Sequence, residues 1–200
     1  MAKKSGIVLV ATGAVLVLAA LLLFLGNEWE SRRAGQASER LAEELVSMVE
    51  TLPAPTEGTA PTEATLSPDL PIVEIDGRGY VGYLEVPTLD LRLPVLAEWS
   101  NENLQIAPCR EFGSSRTDDL IIAAHNYSTH FGKLKNLTPG AVVTFTDMEG
   151  IQNTYTVAET FTLDPTQSET VYATPAPLAL YTCTPGGEYR QVVLCKRVEK

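Results

Sequence analysis

Three side chains able to do chemistry stand at the ends of apolar runs. Residues 179–194 read ALYTCTPGGEYRQVVL, which sets Cys183 between an apolar run and a Gly-rich turn and lets Arg190 open the next apolar run. Residues 118–127 read DDLIIAAHNY, a further apolar run that stops at His125. A free thiol with a pKa near 8.5 is only about 3% thiolate at pH 7, so a nucleophilic cysteine needs a neighbour. An imidazole can move the proton, and a guanidinium or backbone N–H groups can stabilise the oxyanion that forms when a thiol attacks an amide carbonyl. Blander roles fit the same residues. A cysteine can be a small buried hydrophobe, half of a disulfide or a metal ligand, and a strand-end histidine or arginine can simply meet solvent.

Local context separates the candidates. TPGGEY reads as a hairpin-like turn that brings Cys183 and Arg190 to one rim. Cys195 sits inside RQVVLCKRV, on the face of Gln191, Val193 and Arg197, as a packing residue does. Cys109 follows a proline in IAPCREF and reads as a loop or packing residue. A Cys109–Cys195 disulfide would leave Cys183 alone, and an odd cysteine count leaves at least one thiol unpaired in any case. His130 lies in STHFG, a looser segment than the run ending at His125. Four residues separate the two histidines and no Cys-x-x-Cys occurs, so zinc is not expected. A Ser-His-Asp hydrolase has no Gly-x-Ser-x-Gly elbow to support it. No metal and no cofactor is called for.

The elements that must position these residues are short and strand-like. YVGYLEV, LDLRLPVL, DLIIAAH, AVVTFTD, NTYTVAETFTL, APLALYTC and RQVVLCKRV carry β-branched or aromatic residues, several in strict alternation. The spacing predicts an all-β barrel or sandwich over residues 72–200, with KLKNL and NENLQIA as short helical turns. Ahead of it, residues 53–71 hold five prolines among Thr, Glu and Ala and form an extended linker. Residues 27–52 are rich in Glu, Ala, Leu and Arg, with Leu41, Leu45, Met48 and Leu52 at helical spacing, and predict a juxtamembrane helical stalk. Residues 1–26 contain nineteen uncharged residues at 7–25, close to the roughly 20 needed to span the hydrocarbon core as a helix.

Lys3 and Lys4 before that span, and Glu28 and Glu30 after it, keep the N-terminus in the cytoplasm and send the remainder across. The run ends FLGNEWE, which lacks a small-residue cleavage site, so the span reads as an uncleaved single-pass anchor. A formal charge of −10 argues against nucleic acid as a partner.

Taken together, AAHNY around His125, LYTC ending at Cys183, and Arg190 seven residues later resemble a sortase over residues 72–200. One departure is Ala179, where the family's cysteine motif usually begins with Thr. The resemblance implies an eight-stranded sortase-type β-barrel and a Gram-positive cysteine transpeptidase. Such an enzyme cleaves a Leu-Pro-x-Thr-Gly-like sorting signal through a thioacyl intermediate and passes the protein to an amine. It implies Cys183 as nucleophile, His125 as general acid and base, and Arg190 as the oxyanion or positioning group. Thr182, Asn126 and Thr174 are the implied substrate contacts. The connection over 164–174 lies where the family places its signal-selecting loop.

The implied partners are surface proteins with C-terminal sorting signals and an acceptor amine, either of cell-wall precursor or of a pilin lysine. The only Asp-Pro is Asp164-Pro165, and the sequence stops at Lys200 in polar residues, so the expectation favours wall anchoring over pilus assembly. A membrane-tethered all-β binding module, with incidental histidines and packing cysteines, is the rival from another functional class.

Overall fold

Eight strands close into a mixed β-barrel, and a ninth extends one of them. The computed structural model describes residues 2–52, 67–167 and 169–198. Of the linker expected over 53–71, residues 53–66 lie outside the described residues. The strands are β1 Val73–Ile75, β2 Arg78–Val86, β3 Leu91–Leu96, β4 Cys109–Phe112, β5 Leu120–Ala123, β6 Val142–Asp147, β7 Gln152–Leu163, β8 Leu178–Cys183 and β9 Arg190–Arg197. Around the barrel they run β2-β3-β4-β5-β8-β9-β7-β6, and β6 returns to β2. The β3–β4 and β5–β8 pairs are parallel, and the other pairs are antiparallel.

Closure depends on a residue without a side chain. At Gly82, φ is 152°, and a Cβ there would stand 2.1 Å from the Thr146 carbonyl oxygen of β6. Any other residue would hold β2 and β6 apart. The β1–β2 hairpin turns at Asp76-Gly77, both with positive φ, as a two-residue turn between twisted strands requires.

Alternation along the strands divides inside from outside. Leu84, Ile122, Phe145, Leu180, Val193 and Cys195 fill the barrel. On the outer face, Ile121, Ala179 and Val192 are covered by Val171 of helix α3 (Glu169–Tyr172), which lies in the β7–β8 connection. The expected short turns are a 3-10 segment at Phe131–Asn136 and helix α2 at Asn101–Leu104. Ser100 caps α2, its hydroxyl oxygen accepting the Asn103 N–H at 3.0 Å.

Helix α1 runs Ala2–Glu50, and the chain divides into two units, Met1–Arg33 and Ala34–Lys200. In the first unit an 18-residue window reaches a mean hydropathy of 2.7, and its described apolar side chains are exposed, as lipid-facing residues are. It is a single-pass membrane anchor, with the barrel domain extracellular. In the second unit, residues 34–50 of α1 pack on the barrel. Ala34, Ser38, Ala42 and Leu45 form a buried stripe at helical spacing, and Leu45 sits in a cluster with Ile75, Tyr80, Leu96, Cys109 and Met148. From Ala34 on, the helix expected as a juxtamembrane stalk also packs as a wall of the domain. Its inner face is small at Ala34, Ser38 and Ala42, where the helix approaches closely, and apolar at Leu41, Leu45, Val46, Met48 and Val49, which join that cluster.

The last residues of the expected linker are tied down by Arg116. That side chain donates to the Ser67 carbonyl at 3.2 Å and to the Asp147 carboxylate at 2.8 Å, with Asp147 fully buried.

Candidate active site

Cys183 and Arg190 form the last pair of the β8–β9 ladder. Directly opposed residues on antiparallel strands project from the same face. Counting in twos from Ala179 puts Tyr181 and Cys183 on the outer surface, and counting back from Val192 puts Arg190 there as well. The thiol is half-buried and lies on the outside of the barrel wall at the end of a strand, rather than opening into the barrel's mouth. The six-residue turn between the pair is closed by Thr184, whose N–H donates to the Tyr189 carbonyl at 2.9 Å, while its side-chain oxygen accepts the Tyr189 N–H at 3.1 Å.

His125 follows β5, the strand that pairs with β8. Ala123 pairs with Tyr181 in the parallel β5–β8 ladder, and His125 and Cys183 each lie two residues beyond that pair. Three hydrogen bonds carry the two segments past the ladder's end. Ala124 N–H donates to the Tyr181 carbonyl at 3.2 Å, Thr182 Oγ1 donates to the Ala124 carbonyl at 2.7 Å, and Asn126 Nδ2 donates to the Thr184 carbonyl at 3.2 Å.

Two of the expected substrate contacts are thus occupied in fastening the histidine segment to the thiol strand. Thr182 is buried on the barrel side of β8, the face opposite the thiol. Thr174 lies in the β7–β8 connection on its way to Leu178, the far end of β8. Its hydroxyl donates to the Val171 carbonyl at 2.9 Å and closes the turn after α3.

Burial distinguishes the remaining titratable residues. All three cysteines are free thiols. Burial pushes Cys109 and Cys195 each up to about 12, which leaves them without thiolate at neutral pH. His130 has no exposed surface and is lowered to about 4, mainly by burial, with the charge of His125 adding to the shift and the Ala34 carbonyl opposing it. The segment that looked loose in sequence is thus packed against α1.

One group had no sequence signal. Glu111 of β4 accepts hydrogen bonds from both Tyr181 and Tyr172, one on each carboxylate oxygen. Tyr172 belongs to α3 and also meets Phe112 edge-on, with ring centroids 5.9 Å apart. The hydroxyl of Tyr172 is raised to about 12 by burial and by Glu111, so it stays a donor. This clasp ties the β7–β8 connection to the outer face two residues before the thiol. Beyond it, an open cavity of about 520 Å³ runs between the segment after β3 and β4, lined by Trp99, Arg110, Glu111 and Phe112 but not by Cys183. Tyr181 was findable by its spacing from Cys183, whereas Glu111 depended on long-range pairing.

An outward thiol, a guanidinium opposite it and an imidazole from the adjoining strand can support acyl transfer at an amide carbonyl. The sortase domain family model matches residues 84–198. No curated protein sequence matches the chain. Among solved structures, sortase C1 from Streptococcus agalactiae is 25% identical with a TM-score of 0.53, covering 64% of this chain and 72% of that one. Sortase C1 from Streptococcus suis is 24% identical with a TM-score of 0.53, covering 60% and 74%. Sortase A from Corynebacterium diphtheriae is 17% identical with a TM-score of 0.56, covering 85% of each chain. With the family model spanning more than half its length and the β5, β8 and β9 ladders inside the match, the chain belongs to the sortase family.

Proposed function

We propose that the protein is a membrane-anchored, extracellular cysteine transpeptidase acting on proteins with a C-terminal sorting signal of the Leu-Pro-x-Thr-Gly kind. What supports this reading is the register: Cys183 and Arg190 are the last pair of the β8–β9 ladder, and His125 lies two residues past the Ala123–Tyr181 pair of the neighbouring β5–β8 ladder. His125 takes the thiol proton, the Cys183 sulfur attacks the Thr carbonyl carbon, and the carbonyl electron pair moves to oxygen, where Arg190 stabilises it. The C–N bond to Gly then breaks as His125 delivers a proton to the leaving amine, which gives a thioacyl enzyme. An incoming amine attacks the thioester, His125 takes its proton, and the thiolate departs as the new amide forms.

For the acceptor, a pilin lysine is favoured over an amine of cell-wall precursor. Sortase C1 structures are prominent among the similar ones, at up to 25% identity, and one of them belongs to GBS Pilus Island 1. The test offers the thioacyl enzyme a pilin-sequence lysine peptide and, in parallel, a cell-wall precursor amine. The mass of a lysine-linked amide is the expected product. Ligation to the precursor alone would assign wall anchoring, and hydrolysis alone would make the enzyme a thiol hydrolase.

A further inference from the structure

The loop carrying His125 is gripped on the side away from β8 by helix α1. The loop folds back on itself: Phe131 N–H donates to the His125 carbonyl at 3.2 Å, and the N–H groups of His130 and Gly132 donate to the Tyr127 carbonyl at 3.0 and 2.9 Å. From this loop the fully buried His130 reaches α1, its Nε2 lying 2.9 Å from Ser38 Oγ. Ser38 gives its single hydroxyl proton to the Ile106 carbonyl at 2.6 Å, so the imidazole must donate from Nε2. The Tyr127 ring lies between the two histidines, with centroids 5.0 Å from His125 and 5.4 Å from His130.

A second contact lies one turn earlier on the same helix. A Cβ on Gly35 would stand 2.5 Å from Thr129 Cγ2 and 2.7 Å from Thr129 Cβ. Rotating the threonine moves the first atom but not the second. Glycine inside a helix costs about 1 kcal/mol relative to alanine, so helix propensity alone disfavours it here. Close approach to the histidine loop is what the position supplies.

We infer that Gly35 and Ser38 of α1 position His125, seating the 125–130 loop through Thr129, His130 and Tyr127. The inference rests on the reading of His125 as the proton carrier. A helix that continues from the membrane anchor is thereby part of the catalytic apparatus, and Ser38, Gly35 and His130 are positioning residues that never touch substrate. A shift of about 1 Å in a catalytic group can cost on the order of 100-fold in rate, so a modest loosening of this seat is measurable.

The test uses the full chain in detergent micelles and compares Gly35→Ala and Ser38→Ala with Gln36→Ala, a change on the exposed face of the same turn. Two readouts are taken: kcat and KM for a sorting-signal peptide, and the pH profile of Cys183 alkylation by iodoacetamide, which needs no substrate. Both inner-face variants are expected to lose about tenfold in kcat with KM within about twofold, and to move the inflection of the alkylation profile. Gln36→Ala is expected to match the wild type in both. Inner-face variants that keep the wild-type kcat and profile would overturn the inference. If Ser38→Ala fails to fold, Gly35→Ala, which removes no hydrogen bond, decides the matter. A wild-type chain that never acylates would sink the proposed function, while the alkylation profile would still report whether α1 sets the surroundings of the thiol.

Discussion

Cys183 and Arg190 are direct cross-strand partners at the end of the β8–β9 ladder, sharing the outer face of the barrel. Strand register places Arg190, whose guanidinium donates to the Gly187 carbonyl of the turn at 3.4 Å, and register in a strand with one buried face is strongly fixed. Arg190→Ala is expected to lower kcat by about 100- to 1,000-fold with little change in KM. Arg190→Lys should recover only part of that, because a point charge replaces a planar fork. Steady-state kinetics on the two variants check this; equal activity in both and in the wild type would remove Arg190 from the chemistry.

Thiol reactivity should be confined to one residue. Cys109 and Cys195 are buried, and burial pushes each up to about 12. Native-state alkylation followed by intact mass is expected to show a single modification, lost in Cys183→Ala. Modification of Cys109 or Cys195 at a comparable rate would contradict the burial described.

His130 makes stability depend on acidity. Its folded-state value, about 4, lies below the ordinary 6.5. Stability from the neutral ring is complete above 6.5 and is lost as pH falls toward 4, because the unfolded chain takes up a proton that the folded chain refuses. The span corresponds to about 3 kcal/mol. Chemical denaturation at pH 7 and pH 4.5 should show this fall in the wild type, and a shallower one in His130→Gln. Equal slopes in the two proteins would mean that the acid sensitivity comes from elsewhere.

Tyr172 should matter for recognition more than for turnover. Its hydroxyl holds the β7–β8 connection to Glu111. Tyr172→Phe removes that bond and retains the edge-on ring contact with Phe112. KM for the sorting-signal peptide is expected to rise about three- to tenfold while kcat changes less than about twofold. A changed kcat at constant KM would place the clasp with the chemistry instead.

Much of this was legible in the sequence because it is local. Alternation in APLALYTC and RQVVLCKRV marked the strands, and TPGGEY between them fixed the pairing that sets Cys183 opposite Arg190. The burial of Cys195 followed from the same period of two. Contacts between distant segments were out of reach. Ser38 and His130 are 92 residues apart, and Ala34, Gly35 and Ser38 carry none of the hydrophobic signal that Leu41, Leu45 and Met48 give further along the same helix. The resemblance implies Thr182 and Asn126 as substrate contacts, and their hydrogen bonds to distant backbone carbonyls carry no local signal. Period-two geometry turns Thr182 inward, and the loop after β5 spends Asn126 on the Thr184 carbonyl.

The most direct test of the central claim is intact mass spectrometry of the full-length chain incubated with a sorting-signal peptide. One acyl adduct is expected on Cys183, absent from Cys183→Ala and discharged by an added amine. A folded chain that gives no adduct with any such peptide, or an adduct that persists in Cys183→Ala, would contradict it.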